Sequence, residues 1–295
     1  MSDLTNETLG KYHITKRLGS GGMSRVYLAQ QPGLNRNVAI KVLHSHLAED
    51  SDFVNRFERE AASIAQLRHP NITQLFDFDH DHTMGLYYMV MEYIGGPSLK
   101  SEIEERRGRE EAFSLDEIVR IFSPLASAVD YAHRQGMVHR DIKPANIMFN
   151  SQGQVVLGDF GLVRIASDSH ISVAGTIAGT PYYMSPEQAR GESGDTRTDI
   201  YSLGVVLFEL ATMRLPFEGE STHSILLKHI ADPPPHPTEL NASIPAALEA
   251  VILKAMEKQP QDRYQTATEM AHDLRLAAGI SIIDWADSIA QDTSA

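Results

Sequence analysis

The hydrophobic pattern changes period once along the chain, at Gly95-Gly96-Pro97, and this switch constrains the fold more than any other feature. Before it, apolar residues recur as they do in strands grouped around one helix. Tyr12, Ile14 and Leu18 alternate in part, Val26 and Leu28 share one face, and Val38–Leu43 is a β-branched-rich third run. Phe53, Phe57, Ala61, Ile64 and Leu67 then fall at helical spacing, so 52–68 reads as an amphipathic helix that Pro70 stops. Strands are expected near 72–79 and 86–92. After the switch the stripes are helical: Ile118, Ile121, Phe122, Leu125, Val129 and Ala132 form one, and Ile200, Leu203, Val206, Leu207 and Leu210 another. Gly95-Gly96-Pro97 is the natural hinge. A β-rich part followed by a helical part is an α+β arrangement, and ligands favour the cleft between two such lobes. Pro233-Pro234-Pro235 reads as a loop between helices.

Composition removes several functional classes. The 295 residues include no cysteine, which excludes disulfides, thiolate zinc sites and thiol catalysis. The formal charge of -13 disfavours nucleic acid and anionic membranes as partners. No apolar run approaches the roughly 20 residues that span a bilayer. The N-terminal Met1–Gly10 lacks the apolar core of a signal sequence. The chain therefore reads as cytoplasmic, a reading compatible with a longer, membrane-anchored parent. Its 13 histidines show no metal-ligand spacing, and His44, His46, His80 and His82 read as loop positions.

Gly19-Ser20-Gly21-Gly22-Met23-Ser24 lies between two strand patterns, where glycine lets the backbone approach phosphate oxygens. Taken alone it could equally be an ordinary Gly-rich hairpin. Lys41 ends a Val-Ala-Ile-Lys strand, and Glu60, 19 residues on, is its expected partner, because a lysine inside a cleft needs a carboxylate to stay charged. Alone, the two could as well form a surface ion pair. The decisive stretch is His139-Arg140-Asp141-Ile142-Lys143-Pro144-Ala145-Asn146, followed 13 residues later by Asp159-Phe160-Gly161.

These two stretches resemble the catalytic and magnesium-binding loops of the protein kinase superfamily. Gly179-Thr180-Pro181 and Ser185-Pro186-Glu187 resemble the end of its activation segment, Asp199-Ile200-Tyr201-Ser202-Leu203-Gly204 the start of its central helix, and Arg263 its late arginine. The resemblance runs from about Tyr12 to Leu276 and is greatest to bacterial eukaryotic-like serine/threonine kinases. It implies an α+β, bilobal protein-kinase fold: a β-rich N-lobe with one helix, a mainly helical C-lobe and an ATP cleft between them. The expected divisions are a tail at 1–11, N-lobe and hinge at 12–94, C-lobe at 95–278 and a tail at 279–295.

The resemblance also implies roles. Leu18 and the Gly19–Ser24 turn would cover the nucleotide, and Lys41, held by Glu60, would bind the α- and β-phosphates. Val26 and Ala39 would roof the adenine and Met148 would floor it, with Met91 as gatekeeper and Glu92 and Ile94 giving backbone hydrogen bonds. Asp159 and Asn146 would hold Mg2+, with Mn2+ as a substitute. Asp141 would accept the acceptor hydroxyl's proton, and Lys143 would neutralise the transferring phosphoryl. Lys143 implies serine or threonine acceptors, with Thr180 bridging it to Asp141. The third loop glycine of the family is Ser24 here, which would change nucleotide affinity only modestly.

Arg140 would pair with a phosphorylated activation segment, for which Ser172 and Thr176 are favoured over Ser167, Ser169 and Thr180. Glu187 and Arg263 would form a buried ion pair, and His139 would be a core, backbone-bonding residue. Ile280, Ile282, Ile283, Trp285 and Ile289 would pack on the C-lobe or bind a partner. Expected partners are ATP, proteins with Ser/Thr acceptors and a second copy through the N-lobe. A pseudokinase scaffold would lack one of Lys41, Asp141 or Asp159, and all are present. A small-molecule kinase would lack the Gly-Thr-Pro to Ser-Pro-Glu segment.

Overall fold

Alternation over residues 8–43 produces four antiparallel strands: β1 (Thr8–Leu9), β2 (Tyr12–Ser20), β3 (Ser24–Gln31) and β4 (Arg36–Leu43). The computed structural model describes residues 3–21, 24–44, 47, 51–160 and 181–280. Two more strands, β5 (Leu75–Asp81) and β6 (Leu86–Glu92), complete a six-stranded sheet in the order β1-β2-β3-β4-β6-β5. Directly opposed residues share a face, so the register sorts the side chains. Tyr27 opposes Ile40, and Ile40 opposes Val90. With Tyr12, Ile14, Ala29, Val38, Val42 and Tyr88 they build one buried cluster. The other face carries Val26 opposite Lys41, Lys41 opposite Met89, and Ala39 opposite Met91. Val26 and Leu28 share a face as expected, and it is this second one.

Three boundaries differ from the sequence expectation. Leu18 is 41% exposed, because irregularities between Ile14 and Lys16 and between Arg17 and Gly19 break the period of two. Helix α1 (Ser51–Ile64) ends four residues before 68. Tighter bonds from Gln66 N–H to Ser63 O and from Leu67 N–H to Ile64 O close it, and Leu67 stays buried. Strand β5 begins at Leu75, while Ile72 bridges in parallel to Leu157.

The described residues form two compact units, 3–97 with 148–160 and 98–147 with 181–280. The expected boundary assigned 148–160 to the helical part. That segment contains most of the ribbon of β7 (Ile147–Phe149) and β8 (Val155–Leu157). It joins the sheet unit through Thr73 N–H to Leu157 O, Leu157 N–H to Asn71 O, and Asn71 Nδ2 to Val155 O at 2.7 Å. Gly96 is needed for close approach: a Cβ there would lie 2.1 Å from the Phe149 carbonyl oxygen.

The helical unit contains α2 (Leu99–Arg109), α3 (Leu115–Arg134), α4 (Pro186–Ala189), α5 (Thr196–Thr212), α6 (Thr222–Ala231), α7 (Pro237–Leu240), α8 (Ala246–Ala255) and α9 (Ala267–Ala277). Helix α5 is buried from Thr198 to Thr212, so the unit is organised around it. Gly204 lets α8 approach, since a Cβ would meet Ala255 Cβ and Met256 Cγ, each at 2.9 Å. Ser114 and Glu117 form a capping box on α3, and the buried Asp130 on α3 accepts from Ala267 and Thr268 N–H at the start of α9. Pro233-Pro234-Pro235 is the connection between α6 and α7.

Candidate active site

The expected nucleotide residues lie in the sheet unit. Gly19 and Ser20 end β2 opposite Val26 and Arg25, and Gly21 N–H closes the turn on Ser24 O at 2.8 Å. A Cβ on Gly19 would meet nothing within 4 Å, so the turn leaves an open backbone face suited to phosphate oxygens. Gly22 and Met23 lie outside the described residues. His44 Nε2 sits 3.1 Å from Gly21 O, so a residue expected to be a plain loop position touches the turn. The contact follows from the register, in which Ser24 opposes Leu43 and the next residue falls beside the hairpin. Met89, one period before Met91 on the Lys41 face, was likewise missed. Ala39 and Ile94 are buried, Val26, Met91 and Met148 half-buried, and Glu92 exposed. Glu92 N–H donates to Gln74 O, which fixes the linker.

Lys41 is buried, and its Nζ lies 2.8 Å from Asp159 Oδ1. Sequence spacing pointed to Glu60 as the partner of Lys41 and did not point to Asp159. Asp159 leaves β8 with φ of 59°, a left-handed conformation that aspartate adopts more readily than most residues, and that turn brings its carboxylate onto Lys41. Spacing put Glu60 on helix α1 and gave no hint of the bond from Lys41 to Asp159.

The expected catalytic loop, 139–146, lies in the helical unit after α3 and ends in a 3-10 turn at Pro144–Asn146. Asp141 Oδ1 and Oδ2 accept from Lys143 Nζ at 2.9 and 2.7 Å. Asn146 Nδ2 donates to Asp141 O at 2.8 Å and to Oδ2 at 3.0 Å. This holds the carboxylate in one orientation and turns the Asn146 Oδ1 away from it. Asp141 N–H donates to Nδ1 of the buried His139, in keeping with the core role expected of that ring.

A residue that sequence reasoning named only as part of a helix start proves to hold this loop. Asp199 on α5 is completely buried and accepts from His139 N–H and Arg140 N–H at 2.8 Å each, with His133 Nε2 at 2.7 Å. Burial pushes its carboxyl up, but the His133 hydrogen bond, the charges of His133 and His139 and the Arg140 N–H outweigh this and hold it below the usual range. Arg140, at φ of 65°, donates from Nε to Ser193 O, and its carbonyl accepts from Gln188 Nε2. A carboxylate immediately before the apolar stripe that starts at Ile200 was the legible signal, since a buried charge must be paired. Gly161, Ser167, Ser169, Ser172, Thr176, Gly179 and Thr180 lie outside the described residues, as do 281–295.

The expected Glu187–Arg263 pair is present, bidentate at 2.8 Å on both oxygens, with Thr198 Oγ1 also donating to Glu187. Arg263 gives its remaining donors to the carbonyls of Glu257, Arg197 and Lys258, so all five are satisfied. Burial raises the Glu187 carboxyl, yet the hydrogen bonds and charge of Arg263 leave it lowered overall. Both Glu187 and Asp199 thus have folded values below their unfolded ones, near 4.5 and 3.8. Their stabilisation is complete above those unfolded values and is lost as pH falls through the lowered folded ones. Urea unfolding followed by circular dichroism is expected to give a midpoint that is level from pH 7 to about 5.5 and falls below about 4.5. A midpoint level down to about pH 3 would contradict this.

Among the described residues no three His, Cys, Asp or Glu side chains form a metal cage. Asp159, in the sheet unit, and Asn146, in the helical unit, each carry an oxygen donor of the hard type that Mg2+ takes.

Residues 12–274 match the family model described as Protein kinase domain. The chain is 42% identical over 268 residues to the Serine/threonine-protein kinase PrkC of Bacillus subtilis, covering 91% of this chain and 40% of that protein. It is 42% identical over 268 residues to the Serine/threonine-protein kinase PknB of Mycobacterium tuberculosis, covering 90% and 42%. The chain therefore spans about two fifths of the length of these relatives. The crystal structure of the Mycobacterium tuberculosis PknI kinase domain is similar at a TM-score of 0.74 and 27% identity, covering 94% of this chain and 100% of that one.

Proposed function

The chain belongs to the protein kinase family and has its fold, and from that premise we propose that it transfers the γ-phosphate of ATP to serine and threonine hydroxyls of proteins. The observation that carries this reading is Asp141, fixed by Lys143 on both carboxylate oxygens and by Asn146. An ionised carboxylate held in this way can only accept, so it orients an acceptor hydroxyl and takes its proton late in transfer. Lys143, two residues on, supplies the positive charge that offsets developing charge on the phosphoryl oxygens. Its position also supports serine and threonine as the acceptors.

In the sheet unit, the Gly19–Ser24 turn and Lys41 bind phosphates, and Val26, Ala39, Met91 and Met148 supply apolar contacts for the adenine. A magnesium ion on Asp159 and Asn146 would neutralise phosphate charge. Glu60 would hold Lys41 in place, as the family resemblance implies. Regulation would run through Arg140, whose carbonyl accepts from Gln188, the residue that follows the segment. Autophosphorylation at Ser172 or Thr176 would give it a doubly charged partner. A homodimer through the N-lobe and a cytoplasmic location belong to the same reading; no helix among the described residues is long and apolar enough to cross a membrane.

The test is metal-dependent transfer. With γ-labelled ATP, the chain is expected to label itself and an added protein in Mg2+, and to lose all labelling with excess chelator. Binding of ATP without any transfer would establish the pseudokinase scaffold instead.

A further inference from the structure

Helix α6 carries a buried ring that phosphotransfer, as described, does not use. His229, in its last turn, is 0% exposed, with Nδ1 2.9 Å from the hydroxyl of Tyr201 on α5. Lys258 Nζ approaches the same hydroxyl at 3.5 Å and donates to the His229 and Lys228 carbonyls at 2.9 and 3.4 Å. It thereby caps the C-terminal end of α6. An ammonium only donates, so the Tyr201 oxygen faces it as acceptor and turns its hydrogen to His229 Nδ1. The imidazole is then neutral, with its proton on Nε2. Burial, and then the charge of Lys258, push its titration down to about 3, so the ring stays neutral in this role.

The Nε2–H is buried and lies toward the Tyr182 backbone without closing an ordinary hydrogen bond. Tyr182 is in the 3-10 turn Pro181–Tyr183 that leads into α4, and α6 packs on both. The next residue is tied down twice by α5: Tyr183 Oη donates to Glu209 Oε2 at 2.5 Å, and Tyr183 O accepts from Ser202 Oγ at 2.8 Å. Tyr182 has no such tie to α5 among the described residues, and a buried donor beside its backbone is His229 Nε2–H. A buried donor without a partner is costly, so it calls for a state in which it is used.

We propose that His229 is a positioning residue for protein acceptors: its Nε2–H closes on the Tyr182 carbonyl when an acceptor seats on the 181–187 turn, joining α6 and that turn into one docking platform. The proposal rests on the kinase reading above, in which this turn docks protein substrates. It concerns acceptor binding only; neither nucleotide binding nor the Asp141 loop is involved.

The experiment compares His229→Phe, which fills the space without either nitrogen, with His229→Gln, which keeps an N–H near the Nε2 position. Steady-state kinetics use the best acceptor that the wild-type chain selects from a degenerate Ser/Thr-centred peptide library. His229→Phe is expected to raise KM for the peptide about tenfold, with kcat and KM for ATP within about twofold. His229→Gln should restore the peptide KM to within about threefold of wild type. Should the Phe variant not fold, Tyr201→Phe frees the ring from its tautomer lock and is expected to raise the peptide KM about threefold. An unmoved peptide KM, equal effects of Phe and Gln, or parallel changes in KM for ATP would each overturn the proposal. A wild-type chain that labels no protein or peptide would overturn the functional reading, and this inference with it.

Discussion

Asp141→Asn is expected to lower phosphate transfer on the order of 10³-fold, while thermal unfolding moves by no more than about 2 °C. The change is isosteric but removes one acceptor and creates a donor. Asp141 now accepts three side-chain hydrogen bonds, two from Lys143 Nζ and one from Asn146 Nδ2. An amide can accept on one oxygen only, and its NH2 group would face the Lys143 ammonium or the Asn146 amide, donor against donor. Lys143 then loses its fixed position together with the base, so two groups fail for one substitution. The fold has little at stake, since Asp199 supports the backbone of the loop from below through His139 and Arg140. Calorimetry and initial rates on the same preparation separate the two effects. A variant with more than about a tenth of the wild-type rate would show that Asp141 is not the proton-accepting group.

The second large effect falls on stability. Arg263→Ala is expected to cost about 3–5 kcal/mol, because it strands the Glu187 charge in the core. It also leaves the carbonyls of Arg197, Glu257 and Lys258 without a donor they now share. The readout is the urea midpoint, with the slope checked for two-state behaviour. Removing both charges with Glu187→Leu and Arg263→Met should recover only part of the loss: the buried charge is gone, but the three carbonyls stay unsatisfied. A loss below about 1 kcal/mol for the single variant would mean that solvent reaches the pair, against its burial here.

Much of this was legible because local patterns repeat what packing needs. The period of two in β3 put Val26 and Leu28 on one face, and the register sets Ala39 and Lys41 of β4 opposite them. The Asp141-to-Asn146 spacing brought carboxylate, ammonium and amide within a single turn. What was not legible depended on reach across the chain. Helix position pointed from Lys41 to Glu60 and could not point to Asp159, 118 residues from Lys41, which makes a bond to it. The bulges around Leu18 shift a strand without leaving a trace in its composition. Asp199 looked like one polar residue at a helix start, and only the fold reveals that three groups of the catalytic loop and α3 converge on it.

The most direct measurement is phosphoamino-acid analysis after reaction with γ-labelled ATP and Mg2+, run in parallel on the wild-type chain and Asp141→Asn. Label in phosphoserine and phosphothreonine for the wild type, and almost none for the variant, is the predicted result. Label in phosphotyrosine, or equal label in both proteins, would contradict the assignment of Asp141 and Lys143 as the groups that direct phosphate to serine and threonine.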